Sequence, residues 1–242
     1  MAPVRFGIVV FPGSNCDHDA YYAVKHVLGA DAVFLWHRDT TLRGVDVVIL
    51  PGGFSYGDYL RCGAIARFSP IMKEVVRFAK AGGFVMGICN GFQILCESGL
   101  LPGSLLRNAS LRFVCRMVHI RTERAGTAFT RLLAQGQVLT MPVAHGEGNY
   151  YTDASTLAGL EAKGQVLFRY STLDGQVTPG ANPNGSLRNI AGVMNEEGNV
   201  FGLMPHPERA MEHIIGSVDG AMIFRSVLEA VTQRAPSAVS KE

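Results

Sequence analysis

The feature that most constrains this chain is a cysteine that lies between a strand pattern and a helix pattern. Residues 83–86 form a short apolar run that is typical of a buried strand, and the apolar residues of segment 92–96 recur at helical spacing. Between them is a G-x-C-x-G segment at positions 87–91, centred on Cys89. Because its two glycines leave room for a sharp turn, the segment is predicted to be the sulfur counterpart of the G-x-S-x-G nucleophile elbow.

The position of Cys89 also bears on its chemistry. A helix N-terminus beside the sulfur favours the thiolate, which is the form that attacks a carbonyl carbon. Most free cysteines are instead small buried hydrophobic residues. The segment alone leaves both interpretations open, so the choice depends on the rest of the chain.

The first half of the chain alternates strands and helices. Apolar runs predict strands at residues 4–11, 32–36, 45–50 and 84–86, and helical patterns are found at 17–28 and 70–81. Such alternation implies right-handed βαβ units, and therefore a parallel sheet with helices on both faces. Ligands of such sheets bind at the carboxyl ends of the strands, where the loops at 12–13, 51–53 and 89 are expected to meet.

The second half has shorter strand candidates that are separated by turns, at residues 113–120, 138–144, 166–170, 190–194 and 200–204. Residues 176–187 form a loop rich in glycine, proline and asparagine, and residues 221–231 are predicted to form a closing helix. No internal repeat or linker is visible. We therefore expect a single domain over residues 1–234 and a frayed C-terminal tail at 235–242.

Composition argues against several classes of function. The formal net charge of +2 and the pI near 8.3 are too mild for a nucleic-acid-binding chain, and no dense Lys/Arg run is present. The first residues lack the layout of a signal peptide, and no apolar stretch is long enough to span a bilayer. Five cysteines without paired spacing, and without a zinc-type cluster, predict reduced thiols in a cytoplasmic protein that has no metal site.

A histidine and a glutamate follow another strand candidate near the end of the chain. His206, Pro207 and Glu208 come after the strand-like residues 199–203. Pro207 favours an extended conformation at His206, so the histidine and Glu208 can face the same side. We therefore expect His206 to act as the base of a Cys89 nucleophile and Glu208 to orient the imidazole.

Glycines follow the third predicted strand. Gly52 and Gly53 can leave backbone N–H groups free to point at a developing oxyanion, and the amide of Asn90 is the natural second donor. Taken singly, His-Pro-Glu is also compatible with a surface turn and Pro-Gly-Gly with a plain loop. Together, on one sheet edge, they favour catalysis. Cys16 follows the first strand as well, but no elbow surrounds it, so it is not expected to be the nucleophile.

These motifs resemble those of the class I, or triad, glutamine amidotransferases. The resemblance rests on G-x-C-x-G-x-Q, on Pro-Gly-Gly after a strand, and on His-Pro-Glu near the C-terminus. Segments 11–17, 51–58 and 87–93 are similar, more narrowly, to the glutaminase subunits of the synthetases that aminate formylglycinamide ribonucleotide in purine biosynthesis. The likeness runs from residue 4 to about residue 230.

The resemblance implies a fold and a set of site residues. The fold would be a flavodoxin-like three-layer α/β sandwich with a mostly parallel central sheet. Cys89, His206 and Glu208 would form a triad that hydrolyses glutamine through a glutamyl thioester, and the amides of Gly53 and Asn90 would hold the oxyanion. The substrate would be bound by Gln93, Gly52, His145 and Gly146, although a simple glycine-rich turn at 145–148 stays about as plausible.

Partners are also expected. The chain has neither a P-loop nor a G-x-G-x-x-G turn after its first strand, so it shows no recognisable site for activating an acceptor with ATP. The resemblance implies that ammonia passes to a large ATP-dependent synthetase subunit, with ATP and Mg²⁺ bound there, and that a small accessory subunit bridges the two. No cofactor is expected in this chain.

Two alternatives stay open at this level. The first is the glutaminase subunit of another class I complex, such as those that serve anthranilate, GMP or CTP synthesis; segments 54–58 and 90–92 argue against it. The second is a non-catalytic protein on the same sheet architecture, which would not need His206 and Glu208 beside Cys89.

Overall fold

The structure is a computed structural model that describes residues 3–234 of the chain. The strands are β1 Arg5–Val10, β2 Asp31–Trp36, β3 Val47–Leu50, β4 Phe84–Ile88, β5 Ser104–Leu106, β6 Val114–Thr122, β7 Val138–His145, β8 Asn149–Tyr151, β9 Val166–Ser171, β10 Ile190–Met194 and β11 Val200–Leu203. They form a central nine-stranded sheet with the order β2-β1-β3-β4-β11-β10-β9-β6-β7, beside a small two-stranded sheet of β5 and β8. The α-helices are α1 Asp17–Tyr22, α2 Pro70–Lys80, α3 Asn90–Glu97, α4 Ala154–Ala162 and α5 Gly220–Gln233.

Most strands of the central sheet run in the same direction. The pairs β2-β1, β1-β3, β3-β4 and β4-β11 are parallel, whereas the four pairs from β11 to β7 are antiparallel. Only β10 and β6 therefore oppose the others. Because of this, the carboxyl ends of β1, β3, β4, β11 and β7 all lie at one edge, as the alternation of strands and helices predicts.

The centre of the sheet is covered on both faces. All four residues of β3 and all five of β4 are buried, and adjacent side chains of a strand point to opposite faces. The amphipathic helix α2 places Ile71, Met72, Val75 and Ala79 in the core. This arrangement confirms the predicted three-layer α/β sandwich with a mostly parallel sheet.

Several elements differ from those predicted. The helix expected over residues 17–28 is an α-helix only to Tyr22, and Ala23–Val27 continues it with wider π-type turns. Helix α4 and the β5-β8 pair were not predicted. The run of α4 has no strong apolar face, but Asp153 caps it by accepting hydrogen bonds from the amides of Ser155 (3.0 Å) and Thr156 (2.9 Å).

Two expectations concern the chain as a whole. Within residues 3–234, no helix combines the length and the apolar character that crossing a membrane requires. The tail predicted at 235–242 lies outside the described residues, so it stays a prediction.

Candidate active site

The predicted elbow is present at the end of β4. Cys89 has φ 50° and ψ −105°, between the last residue of the strand and the first of α3. For a residue with a side chain, such a conformation costs about 1–3 kcal/mol and is typical of functional sites. Gly87 has no room for a side chain, since a Cβ there would lie 2.5 Å from the Leu95 side chain, and the one on Gly91 would overlap the carbonyl oxygen of Leu50. The two glycines thus allow the turn that presents Cys89.

His206 and Glu208 form a buried pair after β11. The Nδ1 atom of His206 lies 2.6 Å from Oε1 of Glu208, and the two residues are 1% and 4% exposed. His206 is extended, with φ −102° and ψ 91°, but Pro207–Arg209 forms a short 3₁₀ turn, so the pairing arises through a turn rather than a fully extended segment. The amide of His206 donates to the carbonyl of Pro142 on β7, which fixes the loop from the other side (2.9 Å).

The pairing changes the acidity of the imidazole. Burial by itself lowers the pKa of His206, but the Glu208 carboxylate and the neighbouring Cys89 raise it, and the net pKa is well above its ordinary value. The opposite nitrogen, Nε2, has no hydrogen-bond partner among residues 3–234. A ring that is held at Nδ1 and open at Nε2 is suited to exchange a proton with a reacting group beside it.

Cys89 and His206 meet above Gly52. A Cβ on Gly52 would lie 2.7 Å from Cε1 of His206 and 3.4 Å from the Cβ of Cys89, so a side chain there would separate the two residues. In this conformation, the Cys89 thiol donates to the carbonyl of Ala144 (3.7 Å) rather than to the imidazole. The structure thus brings the predicted nucleophile, base and orienting carboxylate together around a glycine.

Cys16 lies in the same site, which the sequence did not predict. Its sulfur, a ring nitrogen of His206 and a carboxylate oxygen of Glu208 all lie within 4.8 Å of one another. Arg209 donates to the Cys16 sulfur through Nη2 (3.2 Å) and to Asp19 through Nε (2.9 Å). The signal that could have indicated this is the position of Cys16 after β1, at the same sheet edge as Cys89.

The surroundings of Cys16 differ from those of a nucleophile. Burial raises the pKa of its thiol, although His206 and Arg209 act in the other direction. Its backbone, with φ −104° and ψ 5°, has no elbow strain. The guanidinium of Arg209 against the sulfur also opposes binding of a cation by this thiol, even though three potential ligand atoms are close.

The predicted oxyanion donors directly follow Gly52 and Cys89 in the sequence. Gly53 has φ +126°, and a Cβ there would come within 2.7 Å of the backbone nitrogen of Asn15, so only glycine fits. Gly53 also forms a β-bridge with Ser14 of the loop after β1. The amide of Asn90 belongs to the first turn of α3, directly after Cys89, where a helix leaves N–H groups free.

The residues predicted to bind substrate are held by internal contacts. Gln93 is 4% exposed; it accepts a hydrogen bond from Asn90 (2.9 Å) and donates to the carbonyl of Glu147 (2.6 Å). His145 is 3% exposed and lies between the side chains of Asn108 (3.2 Å) and Asn184 (3.4 Å). A direct contact of either side chain with substrate would require one of these bonds to be exchanged.

Gly146 is built into the same region by its backbone. Its carbonyl accepts from the amide of Asn108 (2.9 Å), and a Cβ there would meet only the Phe113 ring, at 3.8 Å. Burial and the nearby His206 lower the pKa of His145 to about 4, so its ring is neutral at pH 7. His145 is thus available to the site only as a neutral side chain.

A cavity opens beside the triad. It has a volume of about 180 Å³ and is lined by Asn15, Cys16, Gly53, Phe54, Phe113, Ala144, His206 and Arg209. Only Gly53 and His206 of this set were predicted from the sequence. The rings of Phe54 and Phe113 stack at 6.4 Å between centroids and form an apolar wall at the cavity.

Comparison with known proteins places this geometry in a family context. The CobB/CobQ-like glutamine amidotransferase domain family matches residues 3–223. A protein of Salinibacter ruber named phosphoribosylformylglycinamidine synthase subunit PurQ is 64% identical over 228 residues, which is 94% of this chain and 97% of that protein. A protein of Moorella thermoacetica with the same name is 58% identical and covers 93% of this chain and 96% of its own length.

Solved structures show the same likeness. A chain in a structure titled PurLQS from Thermotoga maritima superposes with a TM-score of 0.83 at 43% identity and covers 95% of this chain and 99% of that one. A separate glutamine amidotransferase from Thermotoga maritima has a TM-score of 0.59 at 15% identity, which shows a shared fold alone; the match covers 96% of this chain and 100% of that one.

Proposed function

Since this chain belongs to the CobB/CobQ-like glutamine amidotransferase family, we propose that it is the glutaminase subunit of a phosphoribosylformylglycinamidine synthase. The observation that carries the proposal is the meeting of an elbow cysteine with a buried His-Glu pair above Gly52. Two proteins named for that synthase are 64% and 58% identical to this chain over more than nine tenths of its length, which supports the choice of this enzyme within the family.

The geometry assigns a role to each group of the triad. The Cys89 thiolate attacks the carbon of the glutamine side-chain amide, and the amides of Gly53 and Asn90 stabilise the negative charge that develops on its oxygen. His206 then gives a proton to the departing nitrogen, so ammonia leaves and a glutamyl thioester remains. The raised pKa of His206 favours the imidazolium that makes this transfer possible.

The second half of the reaction uses the same groups. His206, neutral after the transfer, accepts a proton from a water molecule as its oxygen attacks the thioester carbon. The C–S bond then breaks, glutamate leaves, and the Cys89 thiolate and the imidazolium are restored. Glu208 holds Nδ1 throughout, so Nε2 stays directed at the reacting atoms.

The cavity beside His206 is the route that we assign to glutamine. Its apolar wall of Phe54 and Phe113 can cover the methylene groups of the substrate, and Arg209 and Asn15 supply polar contacts at the other side. Gly52, Gln93, His145 and Gly146 complete the site in this proposal as parts of its floor and walls.

Ammonia released here has to reach an acceptor that is activated elsewhere in the complex. We propose that a large ATP-dependent synthetase subunit binds ATP and Mg²⁺ and aminates formylglycinamide ribonucleotide, and that a small accessory subunit connects the two chains. The structural neighbour titled PurLQS supports an assembly of this kind. We propose a cytoplasmic location, in keeping with five free cysteines.

An electrophilic glutamine analogue tests the proposal. In the complex with the synthetase and accessory subunits, we expect the analogue to abolish glutamine-dependent synthesis, to spare the ammonia-dependent reaction, and to modify Cys89 alone in peptide mapping. Excess glutamine is expected to protect Cys89. Modification of Cys16 instead, or none in the complex, would contradict the assignment.

A further inference from the structure

The side chain next to the nucleophile is engaged by three hydrogen bonds. The carboxamide of Asn90 is 1% exposed and accepts at Oδ1 from the amide of Ser55 (3.2 Å). Through Nδ2 it donates to Oε1 of Gln93 (2.9 Å) and to Oδ1 of Asp58 (3.4 Å). Because its oxygen accepts one hydrogen bond and both of its N–H hydrogens donate, the orientation of this carboxamide is fixed by hydrogen bonds and not by packing alone.

Two of these bonds hold the loop that follows the oxyanion glycine. Tyr56, Gly57 and Asp58 have φ values of 55°, 69° and 54°, a left-handed run that is unfavourable for the two residues with side chains. Asn90 contacts this turn on both sides, through Ser55 before it and Asp58 at its end. The loop that begins at Gly53 is therefore held at Gly53 by the bridge to Ser14 and, from Ser55 to Asp58, by the Asn90 carboxamide.

The third bond extends to the opposite wall of the site. Gln93, bound by Asn90, donates in turn to the carbonyl of Glu147, in the loop after β7. Asn90 is thus the centre of a chain of side chains that joins the 53–58 loop, helix α3 and the 145–148 loop. All three segments surround Cys89.

We propose that Asn90 is a positioning residue of the glutaminase reaction. Its carboxamide holds the 53–58 loop, here called the oxyanion loop, and Gln93 in place around Cys89. The inference rests on the proposed function and adds to it a role for the Asn90 side chain, separate from that of its backbone amide. Asn90 binds no reacting atom through this side chain. Its effect is expected in kcat, since the geometry of the oxyanion donors matters most in the transition state.

Asn90→Asp tests the role with little change of shape. The introduced carboxylate can still accept from Ser55, but it cannot donate, and it faces the acceptor oxygens of Gln93 and Asp58. In the assembled complex we expect the glutaminase kcat to fall by about tenfold or more near neutral pH, with KM for glutamine changed much less.

The pH profile separates positioning from mere packing. Protonation of the introduced carboxyl restores one donor, so the ratio of variant to native kcat is expected to rise as the pH falls. The ionisable groups around it are Asp58, whose pKa burial and Glu147 raise, then Cys62 beside Asp58, and Glu147. Burial and these acidic neighbours raise the pKa of the new group as well, which brings its titration towards the assay range.

Asn199→Asp is the matched control. Asn199 is 2% exposed and donates to the carbonyls of Ala79 (2.8 Å) and Gly83 (2.7 Å), and it precedes β11, at the opposite edge of the sheet from the site. This change also introduces a buried carboxyl, so we expect lower stability with native kcat and a native pH profile. If both variants lose kcat to the same extent, with no dependence on pH, the positioning role is wrong.

The double substitution Asp58→Asn with Asn90→Asp provides the second measurement. It exchanges donor and acceptor, so the bond between positions 58 and 90 can form again, and we expect kcat above that of Asn90→Asp alone. A double variant no better than the single one would overturn the role. If the single variant does not assemble, a double variant within about tenfold of native kcat supports the role, and a larger loss refutes it.

The native complex distinguishes this inference from the proposed function on which it rests. A native complex that does not hydrolyse glutamine refutes the function itself. An active native complex with an unaffected Asn90→Asp variant refutes only the positioning role.

Discussion

The carbonyl oxygen of Leu50 occupies the space that a side chain on Gly91 would need. Leu50 ends β3 and Gly91 lies in the first turn of α3, so the helix that directly follows Cys89 starts against the neighbouring strand. This close approach fixes the distance between the nucleophile and the oxyanion loop, because Gly52 and Gly53 follow Leu50 within three residues.

Gly91→Ala is therefore expected to be costly. The added methyl group cannot avoid the Leu50 backbone without moving α3 or β3. We therefore expect the free energy of unfolding to fall by about 2 kcal/mol or more, and glutaminase activity to be lost as well. Urea denaturation measures the first effect. Gly159→Ala in α4 is the control: no atom lies within 4 Å of its Cβ position, so this change is expected to be neutral or slightly stabilising. Equal losses in both variants would contradict the explanation.

Cys89→Ala and Cys16→Ala should separate the two thiols of the site. In the proposed mechanism Cys89 serves only the release of ammonia, so its loss is expected to abolish glutamine-dependent synthesis in the complex while ammonia-dependent synthesis persists. Cys16→Ala is expected to keep glutamine-dependent turnover, because burial holds this thiol in its protonated form. Both rates are measured on the same complex. A Cys16 variant as inactive as the Cys89 variant would show that Cys16 takes part in the chemistry.

The elbow at Cys89 and the pairing of His206 with Glu208 could be predicted because local sequence determines them. Gly87 and Gly91 are required by sterics on either side of Cys89, and Glu208 reaches His206 within a single turn of chain. The alternation of strands and helices placed both at one sheet edge. The resemblance to a known family supplied the chemistry.

The rest of the site depends on long-range packing, which local patterns do not encode. Cys16 and Arg209 are in contact although 193 positions separate them. Gln93 is expected from the resemblance to bind substrate, but in the structure both of its polar ends are taken up by Asn90 and Glu147, on which sequence spacing gives no information. Helix α4 was missed because its stability comes from an Asp153 cap rather than from an apolar stripe.

His206→Ala and Glu208→Gln should differ in severity. In the proposed mechanism His206 exchanges the proton, so its removal is expected to lower kcat/KM by about a thousandfold or more. Glu208 is proposed to orient the imidazole and to favour its protonated form, so Glu208→Gln is expected to be less damaging. Steady-state glutaminase assays of the complex decide the order, and the reverse order would contradict the assigned roles.

The same pair predicts a change of pH profile. Burial remains in Glu208→Gln, but the carboxylate that raises the pKa of His206 is gone, so that pKa falls. The limb of the kcat profile that requires the imidazolium should therefore move to lower pH. In the native protein, the stability from this raised pKa is full below about pH 6.5 and is lost as the pH rises through the folded value. As the pH rises, the stability difference between the native protein and Glu208→Gln should therefore shrink. A kcat profile that is unchanged in the variant would refute the coupling between Glu208 and His206.

His145 predicts the opposite dependence of stability on pH. Its ring is neutral because burial, and then the nearby His206, lower its pKa to about 4, and Nε2 is placed to accept from Asn184. The unfolded chain binds a proton at this residue below about pH 6.5, so stability is expected to fall by up to about 3 kcal/mol as the pH drops from there to about 4. His145→Gln cannot take up that proton, and its free energy of unfolding should depend less on pH across this range. His213→Gln, which changes an exposed histidine, should keep the native slope. A native slope in His145→Gln would mean that His145 does not resist protonation in the fold.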